Sequence, residues 1–232
     1  DNKLPLSKQI KVKDTLDFLT TCSRYLRQNL DAKIISITGS CGKTTLKELL
    51  GYSLKKIVKV SISPKSFNNK YGVPLSLFNL NQKDDYGILE VGMDKKGEID
   101  YLSKIIKPDV SVITNINYAH AKNFKNIKHI ALAKSEIINN TNPDGFVVLN
   151  ADDKFYKFHQ KIALGRNLNV ISFGIKNSNA DIKFLSIKKS GKNFKIDLKV
   201  RSFKVYFFIS NDFTSNVYNI LATIAVMNIY IN

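Results

Sequence analysis

Cysteine is scarce: Cys22 and Cys41 are the two that occur in 232 residues. They cannot build the disulfide framework of a small secreted domain, nor do they form a Cys-x-x-Cys metal pair, so a reducing, cytoplasmic setting is favoured. No apolar run approaches the roughly eighteen residues that a membrane helix needs. The opening Asp1-Asn2-Lys3 does not read as a signal peptide, and no stable membrane insertion is expected. Acidic residues are also few, with 19 Asp plus Glu against 36 Lys plus Arg and a formal charge of +17. Such a charge would attract nucleic acid, anionic membrane or a polyphosphate substrate alike. Arginine is confined to Arg24, Arg27, Arg166 and Arg201, while lysines are spread along the chain. No RRM, KH or zinc-finger pattern accompanies them, so the charge reads as compositional bias and no nucleic-acid partner is expected. Internal repeats and low-complexity linkers are absent.

What is present is the composition of a folded chain, 44% hydrophobic and 24% charged, long enough for a substantial core. Apolar residues recur at helical spacing over residues 12–30. A β-branched run at 34–38, a small-residue loop at 39–43 and helical spacing over 44–56 follow. The alternation continues with a strand at 58–61, a helix near 73–78, a strand at 88–91, a helix at 98–106 and a strand at 110–114. A helix at 127–139 and a strand at 146–150 complete it, with Pro108 and Pro143 after helices. Strands alternating with helices predict a parallel sheet covered on both faces, which collects ligands at the carboxyl ends of its strands. Beyond about residue 153 come strand-like runs at 169–173, 181–187, 194–200 and 203–209, which read as an antiparallel meander. The final segment, 215–229, is apolar at helical spacing. The fold class expected is α/β: a P-loop-type, largely parallel sheet flanked by helices, with an additional small antiparallel strand region.

Thr38-Gly39-Ser40-Cys41-Gly42-Lys43-Thr44-Thr45 follows a strand and opens a helix. In that context glycines let the backbone curl so that N–H groups face a phosphate, and the helix start adds its positive dipole end. Lys43 supplies a mobile ammonium, and the Thr44 hydroxyl can sit on the magnesium that accompanies ATP. The general P-loop pattern has its first glycine at the position of Ile37, so this is a shorter form.

Glu90 ends a strand, and Asn115 and His120 lie in the loop after another. Side chains at neighbouring strand ends can converge beside the phosphate loop. Carboxylate, imidazole and hydroxyl suit magnesium or manganese better than zinc, for which no thiolate cluster exists. Taken singly, Glu90 is a polar rim residue, His120 a solvated loop histidine and Lys134 one more lysine on a helix.

The shortened loop resembles that of the Mur ligases and their folylpolyglutamate and cyanophycin relatives. Lys65-Ser66-Phe67-Asn68-Asn69-Lys70-Tyr71-Gly72-Val73-Pro74-Leu75 resembles a stretch typical of the Mur ligases that add D-alanyl-D-alanine. Leu89-Glu90-Val91-Gly92-Met93, Gly97-Glu98-Ile99, Ile113-Thr114-Asn115-Ile116, Ala119-His120 and Ala133-Lys134-Ser135-Glu136-Ile137 continue the family's order. Asn216 and Asn219 resemble its adenine-side stretch, although Ser215 stands where the family has His and Phe213 where it has Gly.

The resemblance implies an ATP-dependent amide ligase acting on UDP-N-acetylmuramoyl-tripeptide and D-alanyl-D-alanine. It implies that Gly39 to Thr45, with Asn216 and Asn219, hold ATP, and that Thr44, Glu90, His120 and a carbamylated Lys134 hold magnesium. Lys43, Lys134, His120 and Asn115 would be catalytic, and Asn68 and Asn69 would contact substrate. It further implies that residues 1–31 are a linker and leading helix from a truncated UDP-binding region and 32–232 the central ATP-binding domain, the C-terminal amine-binding domain being absent. A folylpolyglutamate-like or cyanophycin-like ligase and a non-catalytic ATP-binding module remain as alternatives.

Overall fold

The computed structural model describes residues 5–118, 123–210 and 215–230. After a short 3-10 turn, helix α1 (Thr15–Gln28) leads into strand β1 (Lys33–Thr38) and helix α2 (Lys43–Leu54). Then come β2 (Val60–Ile62), α3 (Gly72–Phe78), β3 (Tyr86–Glu90), α4 (Glu98–Ile106) and β4 (Val110–Ile113). The chain continues through α5 (Ile127–Asn139), β5 (Phe146–Asn150), α6 (Tyr156–Leu164) and β6 (Asn169–Gly174). It ends with β7 (Ile182–Ser190), β8 (Asn193–Val200), β9 (Phe203–Ser210) and α7 (Val217–Tyr230).

The described strands form one sheet of nine, in the order β2-β3-β1-β4-β5-β6-β7-β8-β9. Pairing is parallel from β2 across to β7 and antiparallel through β7, β8 and β9. The run at 169–173 is β6, a parallel strand paired with β5 and not part of the meander. Between β5 and β6 lies α6, which periodicity missed because its fully buried face is only His159 and Ala163, set among Lys157 and Lys161.

Period-two alternation divides the buried side chains between two faces. Ile34, Leu89, Ile113, Val147 and Leu149 point to the face covered by α3, α4, α5 and α6, where Leu77, Leu102, Ile130 and Ala163 meet them. Ile35, Ile37, Ile88, Val112 and Val148 point to the other, covered by Leu46 and Leu50 of α2 and Leu221 and Ala225 of α7. The leading helix packs on the same body. Its Arg27 guanidinium donates to the carbonyls of Ile106 (2.6 Å) and Lys107 (3.0 Å) and pairs with Asp109 (3.1 Å). Among the described residues, no helix is long and apolar enough to cross a membrane.

Candidate nucleotide and metal site

β1 lies between β3 and β4, with Ile37 beside Glu90 and Thr38 beside Ile113. The chain leaves β1 toward one side of the sheet and later returns to the other, so the crevice at these carboxyl ends is a topological switch point. The loop from Gly39 to Gly42 fills it. Gly39 has φ +147° and Gly42 φ +82°, conformations that favour glycine. A Cβ at Gly39 would lie 1.9 Å from Thr114 Oγ1, and one at Gly42 would lie 2.9 Å from Asn219 Oδ1. Both glycines are therefore fixed by close neighbours as well as by backbone geometry.

Asn115 holds the loop from below. Its Oδ1 accepts from the Cys41 N–H (3.0 Å), its amide donates to the Cys41 carbonyl (3.1 Å), and its own carbonyl accepts from the Ser40 N–H (2.9 Å). The Thr114 hydroxyl donates to the same Cys41 carbonyl at 2.6 Å, and the Ser40 hydroxyl donates to the Asn117 carbonyl at 2.9 Å. The N–H groups of Ser40 and Cys41 are thus engaged within the loop. Those of Lys43, Thr44 and Thr45, ahead of the first intrahelical bond from the Leu46 N–H to the Gly42 carbonyl (2.9 Å), have no intrahelical acceptor. Lys43 Nζ folds back onto the Gly39 carbonyl at 3.0 Å, and Thr45 is exposed.

Beside the loop, Thr44 Oγ1 donates to Glu90 Oε2 at 2.7 Å, and Asn68 Nδ2 donates to Glu90 Oε1 at 2.7 Å. Glu90 is buried, and its carboxylate is bracketed by these two donors. Among the described residues, no three His, Cys, Asp or Glu side chains cluster as metal ligands. Thr44 and Glu90 supply hydroxyl and carboxylate oxygens, the donor set of a magnesium ion that takes its remaining oxygens from phosphates and water. His120 and Phe213 lie outside the described residues.

Lys134, on α5, is buried at 3% exposure and, among the described residues, pairs with no carboxylate. Its pKa is lowered to about 7, chiefly by burial and in addition by nearby Lys43, with Cys41 opposing the shift. Lys43 and Lys134 line one cavity of about 750 Å³ together with Asn68, Asn69, Tyr71 and Met93. Asn69 reaches that cavity, yet its side-chain carbonyl accepts from the N–H groups of Tyr71 (3.1 Å) and Gly72 (2.9 Å), steadying the entry to α3. Asn219 lies against Gly42 and donates to Asn216 Oδ1 at 3.2 Å. Sequence reasoning missed the roles of Ser63, Thr114 and Lys47. The signal for Lys47 was its place on the apolar stripe of α2, three and seven residues before Leu50 and Leu54.

Comparison with known proteins agrees with this geometry. The UDP-N-acetylmuramoyl-tripeptide–D-alanyl-D-alanine ligase of Buchnera aphidicola is 35% identical over 205 residues, covering 88% of this chain and 43% of the relative. A crystal structure of MurF from Acinetobacter baumannii superposes with a TM-score of 0.85 at 31% identity, covering 97% of this chain and 50% of that one. MurF from Thermotoga maritima, solved in complex with ADP, superposes with a TM-score of 0.86 at 26% identity, covering 97% of this chain and 52% of that one. The chain therefore spans about half the length of the relatives it matches. The profile of the Mur ligase middle domain matches residues 37–227, and the chain belongs to the Mur ligase family.

Proposed function

We propose that this chain is the nucleotide-handling part of an ATP-dependent ligase that joins D-alanyl-D-alanine to UDP-N-acetylmuramoyl-tripeptide through an acyl phosphate. The observation that carries the reading is the Thr44–Glu90–Asn68 chain of hydrogen bonds at the strand ends, whose Asn68 lines one cavity with Lys43 and Lys134. The ADP complex of the Thermotoga maritima relative supports adenine nucleotide as ligand, and the name of the Buchnera relative supports the two substrates. Cys22 and Cys41, both free thiols, suit a cytoplasmic enzyme.

A carboxylate is a poor electrophile, and ATP supplies its leaving group. One carboxylate oxygen of the tripeptide attacks the γ-phosphorus of ATP, and the bond to the departing ADP oxygen breaks. The amine of D-alanyl-D-alanine then attacks the acyl carbon, phosphate leaves with the former carboxylate oxygen, and the amine proton passes to solvent. The free N–H groups at the start of α2 and the Lys43 ammonium bind the phosphates and oppose their growing negative charge. Asn115 holds the loop in register, and Asn219, with Asn216 behind it, lies on the nucleotide side at Gly42. Asn68 orients Glu90. Thr44 and Glu90 would hold magnesium, which when bound supplies Lewis-acid neutralisation of phosphate charge.

Lys134 supports carbamylation on chemical grounds. With its pKa lowered to about 7, a large fraction is neutral amine at neutral pH, the form that attacks carbon dioxide. The nitrogen–carbon bond forms, one proton leaves the nitrogen, and the neutral amine becomes a carbamate anion that could serve the same magnesium. The functional reading is tested by phosphate release from ATP in the full-length protein, with each substrate supplied alone and both together. Release that requires both is expected. ATP binding without release under any combination would make the chain a non-catalytic nucleotide-binding module.

A further inference from the structure

Lys47 sits on α2 one turn beyond Lys43, yet it is fully buried, at 0% exposure, among leucines. A buried ammonium is costly unless its N–H groups find acceptors. Lys47 Nζ donates to the Ser63 carbonyl at 2.7 Å and to the Lys65 carbonyl, and it lies 3.2 Å from Glu48, whose side chain is more than half exposed. Two of its partners are thus backbone carbonyls of the segment that follows β2. That segment turns through Lys65, which has φ +46°, an unfavourable conformation for a lysine.

Both ends of this segment reach Glu90. At the near end, Ser63 Oγ accepts from the Glu90 N–H at 3.3 Å, while the Ser63 N–H donates to the Ile88 carbonyl at 2.8 Å. At the far end, the Asn68 amide donates to Glu90 Oε1 at 2.7 Å, and the Asn68 carbonyl accepts from the Gly92 N–H at 2.8 Å. Lys47 clamps the stretch between these ends to α2, the helix that also carries Thr44. We propose that Lys47 is a positioning residue whose ammonium holds the segment from Ser63 to Asn68 against α2, so that Glu90 is presented to the Thr44 hydroxyl and to a cation beside it. The inference rests on the reading of Thr44 and Glu90 given above. Lys47 itself touches neither nucleotide nor substrate.

The test uses Lys47→Met, Asn68→Ala and the double variant in the full-length ligase. Methionine keeps the length and apolar stem but removes every donor; no charge is then buried, which offsets part of the cost of leaving the Ser63 and Lys65 carbonyls without it. Lys47→Met is expected to remain folded at the assay temperature, to raise the magnesium concentration at half-maximal turnover about 10–100-fold, and to leave KM for the amine substrate unchanged. Because Lys47 acts partly through Asn68, the double variant should lose less than the product of the two single losses. Wild-type magnesium dependence in a folded Lys47→Met, or single losses that simply multiply, would overturn the proposal. If Lys47→Met melts below the assay temperature, Lys47→Arg decides: it retains charge and donors and should restore the magnesium dependence along with stability. Restored stability without restored magnesium dependence would reduce Lys47 to a core residue. If Thr44→Ala and Asn68→Ala leave turnover intact, the functional reading fails instead; if they impair it while Lys47→Met does not, only this inference falls.

Discussion

The parallel strands and the antiparallel ribbon share one continuous ladder, but they bury their side chains differently. In β1, β4 and β5 nearly every position is buried, because helices cover both faces. In β8 and β9 one face packs inward through Ile196, Leu198 and Phe207, while Lys195, Lys199, Tyr206 and Phe208 alternate outward. Tyr206 remains 63% exposed with Lys195 Nζ 4.4 Å from its ring centre. Glu90 and the loops bearing Gly39 and Asn115 all follow from parallel strands whose ends meet at the switch point. The ribbon adds sheet area and core cover, and among the described residues it contributes no side chain to the cavity lined by Lys43 and Lys134. Continuity of hydrogen bonding therefore does not make two regions equivalent in function. The parallel half should answer to substitutions in chemistry and stability, and the ribbon's outer face in neither.

The largest effect expected in the parallel half is at the phosphate loop. Lys43→Ala in the full-length protein should lower turnover by about 10²–10³-fold or more, as loss of a charge donor to a transferring group does, while circular dichroism and melting stay unchanged. Near-wild-type turnover would move the chemistry away from this loop. Lys134→Ala should also inactivate, and formate or acetate should restore part of the activity by placing a carboxylate where the carbamate would stand. Lack of rescue together with an unmodified lysine in the mass spectrum would argue against carbamylation.

The same lysine gives a pH prediction. Its pKa is about 7 in the folded protein and 10.5 in the reference state, so between those values the unfolded chain binds more protons and stability rises with pH. Burying the charged form is a penalty present at and below neutral pH and relieved as pH rises toward 10.5. In carbonate-free buffer, Lys134→Met should accordingly raise the melting temperature more at neutral than at strongly alkaline pH. An equal change at both would contradict the assigned cause.

Packing separates the two regions next. Ile37→Ala, at a fully buried position of β1, should cost about 2–5 kcal/mol in denaturant unfolding. Tyr206→Ser, on the outer face of β9, should change stability by no more than about 0.5 kcal/mol and leave turnover unaltered. A large loss from Tyr206→Ser would show that the ribbon's outer face is not a passive surface. The smallest effect concerns Cys41, which is exposed in the phosphate loop. ATP with magnesium should slow its alkylation, and equal labelling rates with and without nucleotide would place the phosphates elsewhere.

Strong local patterns made most of this readable in the chain. The helices at Glu98–Ile106 and Ile127–Asn139 and the strand at Phe146–Asn150 have the bounds that periodicity and Pro breaks imply. The helix α6 was not legible, because a short element with two buried positions carries almost no periodic signal. Strand β6 was legible as a strand but not in its direction, since parallel pairing is decided by the crossover of α6. At the site, the loop spoke through residue types whose chemistry is local, whereas the engagement of Ser40 and Cys41 N–H groups by Asn115 is a long-range contact. Lys47 was hidden for another reason: in a lysine-rich chain, one lysine on an apolar stripe does not stand out until its burial is seen.

The central claim is that this crevice turns a carboxylate into an acyl phosphate, and the fate of the carboxylate oxygens tests it most directly. The full-length protein would be given UDP-N-acetylmuramoyl-tripeptide with heavy oxygen in the terminal carboxylate, together with ATP, magnesium and D-alanyl-D-alanine. The account predicts one heavy oxygen in each phosphate released and none in ADP. Phosphate free of the label, with amide still formed, would contradict it.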